Sequence, residues 1–211
     1  MERRNFILSA GMLAAMGAIS KSGLAASGRS DEPSPSVPDN QPMLPMLLPA
    51  LPPLDHNGGM AIRTRVRSGM TNGLFSSVEC AVAPKIMGPA PHWHLELDEL
   101  MLVLEGTASI LMGDEVIHVE AGGWHLRPRM IKHTFFNASD QPLLFMDMYF
   151  NQPFEEYLER IFFQLNEENG FPEGSEKKEA EHRRLREKFG LMSAPDAWDQ
   201  REELVRTFGL K

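Results

Sequence analysis

The sequence predicts a mainly β fold of antiparallel strands, arranged as a sandwich or barrel and followed by helices. Between residues 60 and 150, short runs of alternating apolar and polar residues are separated by Gly, Pro and Asn at turn positions. From Pro153 onward, apolar residues instead recur every three or four positions, which is the spacing of one helix face. We predict four segments, namely an export signal at 1–26, a Pro-rich linker or arm at 27–57, a barrel at 58–152 and a helical extension at 153–211.

The first 26 residues have the order of an export signal, with basic, apolar and small residues in turn. Arg3 and Arg4 precede a short apolar stretch that ends at Ile19, and Ala25 and Ala26 follow. The paired arginines resemble a twin-arginine signal, which directs proteins that are exported already folded; a general secretory signal and an uncleaved anchor are the alternatives. Because the apolar stretch is short for a bilayer span, we expect a periplasmic or other extracytoplasmic protein with no stable membrane span after cleavage.

The segment from 28 to 55 is too rich in proline for a helix or a central strand. Its first half is polar, as in a linker. Its second half is interpreted either as an arm or as an apolar but mobile spacer. An arm would lie across the barrel or, in a homodimer, across the second subunit. The large apolar residues of this half are Met43, Leu44, Met46, Leu47, Leu48 and Leu51.

Strands and their turns can be placed along the predicted barrel in order. Asn72-Gly73 is a hairpin turn before the second strand, and Gly113-Asp114 is another between two later strands. The predicted strands lie at 61–66, 74–82, 100–104, 108–112, 116–119 and 143–150.

The helical extension is predicted to begin after Pro153, with Asn151 as the cap. Two further helices are predicted at 176–189 and 195–208, and each ends in Phe-Gly-Leu, where glycine supplies a left-handed C-terminal cap. The apolar face of the first helix needs a surface to cover it, and consists of Phe154, Tyr157, Leu158, Ile161, Phe162 and Leu165.

Composition argues against a nucleic-acid partner and an internal disulfide in this chain of 211 residues. The formal net charge is −8 and there is no basic stripe, so we expect no nucleic-acid partner. Cys80 is the single cysteine, which excludes an internal disulfide, and it is interpreted as a small buried residue.

Three histidines and a glutamate form a candidate metal site. His92 and His94 lie two residues apart in a β region, so their imidazoles point to one face. Glu99 opens the next apolar run, and His133 lies in a β-prone run that can return as a neighbouring strand. A mixed nitrogen–oxygen site suits one divalent transition metal, which would be Fe, Mn, Ni, Cu, Co or Zn. The alternative is a set of ordinary buried side chains.

The spacing of these residues resembles the two motifs of the cupin family, over roughly residues 60 to 153. The first motif is matched by His92, His94, Glu99 and Gly106. The second is matched by Gly122 or Gly123, Pro128, His133 and Asn137.

Two positions depart from the cupin motifs, and neither is a ligand position. Met130 stands where the second motif usually has Gly. The first motif begins with a glycine, and its counterpart here, Gly88, lies nearer to His92 than in the usual pattern. The resemblance implies an antiparallel jelly-roll barrel that holds the metal. It also favours Glu99 over its neighbour Asp98, which should point to the opposite face of the strand.

If the barrel forms as predicted, Met101, Val103, Phe135 and Asn137 share the ligand face and line a mostly apolar pocket for one small-molecule ligand. Outside the ligand set, only His125 is placed to reach the barrel mouth, and we do not expect it to belong to the site.

The stretches 103–106 and 151–157 resemble single-domain cupins of the quercetin dioxygenase-like group. That resemblance implies a metal-dependent dioxygenase, an oxidoreductase that acts on a small enolic or phenolic compound or an organic acid. Glu99 would then be both a metal ligand and a catalytic proton acceptor. The alternatives are another metal-dependent enzyme, and a non-catalytic cupin that binds a small ligand or a structural metal. Open coordination positions would distinguish an enzyme from a structural site.

Overall fold

The computed structural model describes residues 42–211. The predicted export signal and the first part of the linker lie outside the described residues. Within residues 42–211, no helix is both long and apolar enough to cross a bilayer.

Strands dominate the described part of the chain up to Phe150, and helices follow. The strands are β1 Met60–Val66, β2 Phe75–Val82, β3 Trp93–His94, β4 Asp98–Glu105, β5 Thr107–Met112, β6 Glu115–Glu120, β7 Trp124–Arg127, β8 His133–Phe136, β9 Leu143–Phe150 and β10 Leu191–Met192. The α-helices are α1 Phe154–Glu159, α2 Glu176–Lys188 and α3 Ala197–Phe208.

The strands pair antiparallel in three sheets. A five-stranded sheet has the order β1-β2-β9-β4-β7, a three-stranded sheet the order β6-β5-β8, and β3 pairs with β10. Isolated backbone bridges at Met87–Phe136 and His92–His133 tie the loop between β2 and β3 to β8. The predicted fold class is therefore confirmed, with antiparallel jelly-roll strands and C-terminal helices, although the hydrogen bonding between strands is not continuous around the barrel.

Turn chemistry accounts for the connections between strands. Gly113 and Asp114 join β5 to β6, as the sequence predicts. The β1–β2 connection is longer, because Asn72 closes a short 3₁₀ turn there with a left-handed φ of 51°. Gly106 turns the chain between β4 and β5 with φ +77°, and a Cβ on it would lie 2.3 Å from the carbonyl oxygen of Pro142. Only glycine combines this positive φ with the absence of a Cβ.

The core lies on the inward faces of the sheets and continues under the helices. On β4 the side chains alternate, so that Met101 and Val103 are fully buried. They belong to the same cluster as Ile110 of β5 in the other sheet, Phe145 of the neighbouring β9 and Phe189 after α2. Each large apolar side chain buried in this way contributes roughly 1.5–3 kcal/mol.

The C-terminal helices differ in detail from the prediction. The first predicted helix is divided into α1 and a π-helical turn at Arg160–Gln164. The predicted cap by Asn151 is wrong, because Pro153 occupies the cap position and the Asn151 amide instead donates to Asp98. Strand β10 was not predicted. Gly190, with φ +57°, turns the chain after α2 so that β10 can pair with β3.

The arm, residues 42–54, has no regular secondary structure and is attached beside β1. Arg63 donates to the carbonyl oxygen of Pro52 and Arg65 to that of Pro49, each at 2.9 Å. The arm's apolar side chains nevertheless remain outside the core, since Leu44 is 84% and Leu47 is 91% exposed.

We propose that these exposed leucines bind a second copy of the chain. The double substitution Leu44→Ser and Leu47→Ser should then convert a homodimer to a monomer, because each buried leucine is worth roughly 1.5–3 kcal/mol. Sedimentation or light scattering measures the change. Leu104→Ser is the matched control, since Leu104 is an exposed leucine on β4. A wild-type monomer, or an unchanged dimer in the double variant, contradicts the proposal.

Candidate metal centre

The structure brings His92, His94 and His133 together. One ring nitrogen from each lies within 4.8 Å of the others. His94 ends β3 and His133 begins β8. The backbones of His92 and His133 exchange two hydrogen bonds, of 3.0 and 2.7 Å, so the main chain itself fixes the spacing between their rings.

Backbone carbonyls orient two of the three rings. Nδ1 of His92 lies 2.9 Å from the carbonyl oxygen of Ala90, and Nδ1 of His133 lies 2.9 Å from that of Ile131. Because a carbonyl only accepts, Nδ1 carries the proton in both rings and Nε2 keeps its lone pair. Metal-binding histidines are usually held in this way by a partner on the other ring nitrogen.

Several polar atoms at the cluster are buried without a hydrogen bond. They include both ring nitrogens of His94, Nε2 of His133 and Oε2 of Glu99. An unsatisfied buried polar atom costs about 1–3 kcal/mol, so a group of them needs a partner. A divalent metal fits this set, because nitrogen lone pairs and a carboxylate are the donors it takes.

Glu99 is the fourth member of the predicted ligand set. Its Oε2 lies 2.9 Å from Nε2 of His133, and its Oε1 lies 3.6 Å from Nε2 of His94. Glu99 therefore contacts two of the three histidines, while the three rings form the tightest group. The neighbouring acids lie elsewhere: Asp98 faces away and pairs with Arg129, and Glu96 is exposed.

Behind Glu99 lies a buried ion-pair chain that sequence reasoning missed. Nε of Arg127 is 3.2 Å from Glu99 Oε2, and its terminal nitrogen is 2.5 Å from Asp147 Oδ1. The Tyr149 hydroxyl donates to the other Asp147 oxygen at 3.3 Å. A carboxylate in the middle of the apolar run Leu143–Phe150 was the available signal for this chain.

Burial and neighbouring charges set the protonation states of the centre. Burial lowers the pKa of His92 to about 3 and that of His94 to about 4. Burial alone would raise the pKa of Glu99, but the charge of Arg127 opposes this effect and the pKa is held well below the usual range. The two imidazoles are therefore neutral and the carboxylate is ionised at neutral pH, as metal ligands must be.

The loops around the centre show why the two motif departures are tolerated. Met130 adopts φ +66°, a left-handed conformation that glycine takes without strain, and its N–H donates to the carbonyl of His94. Gly88 approaches β8 so closely that a Cβ would lie 2.1 Å from the carbonyl oxygen of Phe135. Both departures thus preserve the backbone path beside the histidines.

A cavity of about 640 Å³ adjoins the centre. His92, Glu99 and His133 form part of its wall. The rest is mostly apolar, and includes Ile62, Val78, Phe145, Phe154, Tyr157 and Ile161.

The predicted pocket residues are only partly placed at this cavity. Phe135 lines it. Met101 and Val103 do not, because they lie further along β4 inside the packed core. Asn137 does not line it either, since its amide donates to the carbonyls of Val82, Ala83 and Gln141 and fixes that loop. His125 of β7 is half-buried and is also absent from the cavity wall.

Comparison with solved structures finds similar folds at low identity. KdgF from Halomonas sp. has 16% identity and a TM-score of 0.42, covering 49% of this chain and 88% of that one. The cupin domain of an XRE family transcriptional regulator from Enterobacter cloacae has 17% identity and a TM-score of 0.39, covering 44% and 96%. A recombinant oxalate oxidase in complex with glycolate has 20% identity and a TM-score of 0.38, covering 46% and 53%.

A cupin domain is identified from the sequence. No curated protein matches the chain. The Cupin domain family model matches residues 78–149, which run from β2 to the end of β9 and include all three histidines of the centre. Residues 78–149 are therefore a cupin domain.

Proposed function

We propose that the protein is a metal-dependent enzyme, a dioxygenase that acts on a small enolic or phenolic compound or an organic acid. His92, His94, His133 and Glu99 would hold one divalent transition metal. The observation that carries the proposal is the position of the cluster: His92, Glu99 and His133 lie at the wall of a mostly apolar cavity, and Oε2 of Glu99 and Nε2 of His133 are buried without a hydrogen bond. A purely structural metal site would be closed on all sides by protein.

Each residue of the site has a task in this proposal. A bound metal would supply a Lewis acid that favours the ionised form of an enol or phenol oxygen. Glu99, ionised and at the cavity wall, accepts the proton that this oxygen gives up. Arg127 contacts Oε2 of Glu99 and thereby fixes the orientation of the carboxylate. A substrate packed against the apolar wall would exclude water from the reacting groups.

One observation favours the rival function, a cupin that binds a small ligand without turnover. The lowered pKa of Glu99, held down by the charge of Arg127 against the effect of burial, makes this carboxylate a weak base. A ligand-binding site would need the same cavity and the same metal, but no proton acceptor.

Turnover and metal content separate the two functions. The protein purified after export is analysed for Fe, Mn, Ni, Cu, Co and Zn, and oxygen consumption is then measured on a panel of enols and catechols. For the enzyme, Glu99→Gln should keep most of the metal but lower turnover by about 100-fold or more. Glu96→Gln is the control, because Glu96 is an exposed glutamate three residues before Glu99.

Two results would contradict parts of this proposal. One is a Glu99→Gln variant with wild-type turnover, which would remove Glu99 as the proton acceptor. The other is a metal-loaded wild-type protein whose metal spectrum responds to the panel compounds although no oxygen is consumed, and that result would establish the binding function instead.

A further inference from the structure

The cavity beside the centre has two chemically different walls. The strand wall is buried, with Val78 of β2 and Phe145 of β9 each only 1% exposed. The helix wall is formed partly by α2 and α3, where Arg183 is exposed and Trp198 is 66% exposed. The exposed lining residues of α2 and α3 therefore place an opening to solvent on the helix side, and both helices lie outside the matched cupin domain.

One face of α2 brings positive charge to this opening. Its lining residues follow helical spacing and are Glu179, His182, Arg183 and Arg186. Arg183 makes no hydrogen bond or ion pair with any residue between 42 and 211. Arg184 behaves differently, because it forms an ion pair with Glu181 at 2.8 Å. The lining face thus carries two guanidinium groups against the single carboxylate of Glu179.

The helix is fixed relative to the metal centre. Arg186 donates to the Ser193 hydroxyl, just beyond β10. In β10, Leu191 pairs with His94 of β3, and the Leu95 N–H donates to the carbonyl of Gly190 at 3.0 Å. The backbone of α2 and the Arg186 guanidinium are therefore held in a set position with respect to the histidines, while the Arg183 guanidinium has no partner among residues 42–211.

We propose that the substrate carries a carboxylate, which the α2 face binds through Arg183 and Arg186 at the cavity opening, while its apolar body extends along the cavity towards the metal centre. A guanidinium matches a carboxylate with two parallel hydrogen bonds. Phe154, Tyr157 and Phe162 supply an aromatic wall for a flat body. The orientation towards the metal rests on the proposed function, whereas the recognition of the carboxylate does not.

A pair of probes that differ only in charge tests this recognition. Binding of 2-naphthoate and of its neutral amide, 2-naphthamide, is measured by fluorescence titration of the full-length mature protein with its metal. We expect 2-naphthoate to bind more tightly. Arg183→Gln should weaken 2-naphthoate by about tenfold, the loss expected for one charged hydrogen-bonding partner, and should leave 2-naphthamide unchanged within about twofold.

Arg184→Gln is the matched control, because it removes the neighbouring arginine that pairs with Glu181 instead of lining the cavity. It should change neither affinity. The proposal is overturned if Arg183→Gln weakens both probes equally, if it weakens neither, or if the preference for 2-naphthoate survives, since the carboxylate would then bind elsewhere. If the protein binds 2-naphthoate through Arg183 and yet consumes no oxygen with the panel compounds, that result supports carboxylate recognition and rejects only the proposed oxygenase.

Discussion

His133→Ala should retain less than about 10% of the wild-type metal content. His133 lies at the meeting point of the centre, since its ring stands 4.7 Å from that of His92 and its Nε2 contacts Glu99 at 2.9 Å. Removing it leaves two histidines and a carboxylate that has lost its nearest nitrogen neighbour. His94→Ala should behave alike. Elemental analysis of the purified variants, with circular dichroism to verify the fold, measures the effect.

Two residues near the cluster serve as controls for metal content. Glu96→Ala removes an exposed acid from the β3–β4 connection, and His125→Ala removes a half-buried histidine of β7. Both variants should keep near-normal metal. The ligand assignment is wrong if Glu96→Ala loses the ion while Glu99→Gln keeps both the ion and activity.

Arg127→Met should destabilise the fold by about 3–5 kcal/mol, because it leaves the buried carboxylates of Glu99 and Asp147 without their shared cation. Chemical denaturation monitored by fluorescence measures this loss. Arg129→Met is the matched control two residues away. Its ion pair with Asp98 is largely solvated, with 41% of the Arg129 side chain exposed, and should be worth less than about 1 kcal/mol.

The pH dependence of the Arg127→Met variant provides a second readout. Arg127 opposes the effect of burial and lowers the pKa of Glu99 below its unfolded value. The stability that Arg127 contributes through Glu99 is present above the ordinary pKa of glutamate and is lost as the pH falls. The difference in stability between wild type and Arg127→Met should therefore shrink on acidification. A deficit that is equally large in acid would assign the loss to packing instead of charge.

Local patterns were sufficient to predict the strands and the candidate ligands. Alternation and turn residues depend on neighbours in the sequence, so β5, β6 and β9 follow from the chain directly. The histidine spacing likewise follows from strand geometry. The position of a residue along a strand is harder to predict. Alternation places Met101 and Glu99 on the same face of β4, but the packing of the opposite sheet determines that only Glu99 reaches the cavity.

Long-range pairing explains what the sequence did not reveal. Arg127 lies on β7 and Asp147 on β9, with β4 between them in the sheet, so their contact depends on strand order. Strand β10 is only two residues long, which is too short for any alternation to show. The α2 face looks like an ordinary solvated helix side until the pairing of β10 with β3 brings it to the cavity.

The β3–β10 pairing also has a kinetic consequence. His94 and Leu191 lie about 100 residues apart, so loop closure between them is among the slower contacts to form. The cupin strands can collapse while β3 still has a free edge on the side that β10 later covers. During synthesis, the three histidines would thus leave the ribosome well before the segment that covers this edge. If the centre holds a metal as proposed, an ion taken up by the nascent chain would therefore meet a site that still lacks the β3–β10 pair.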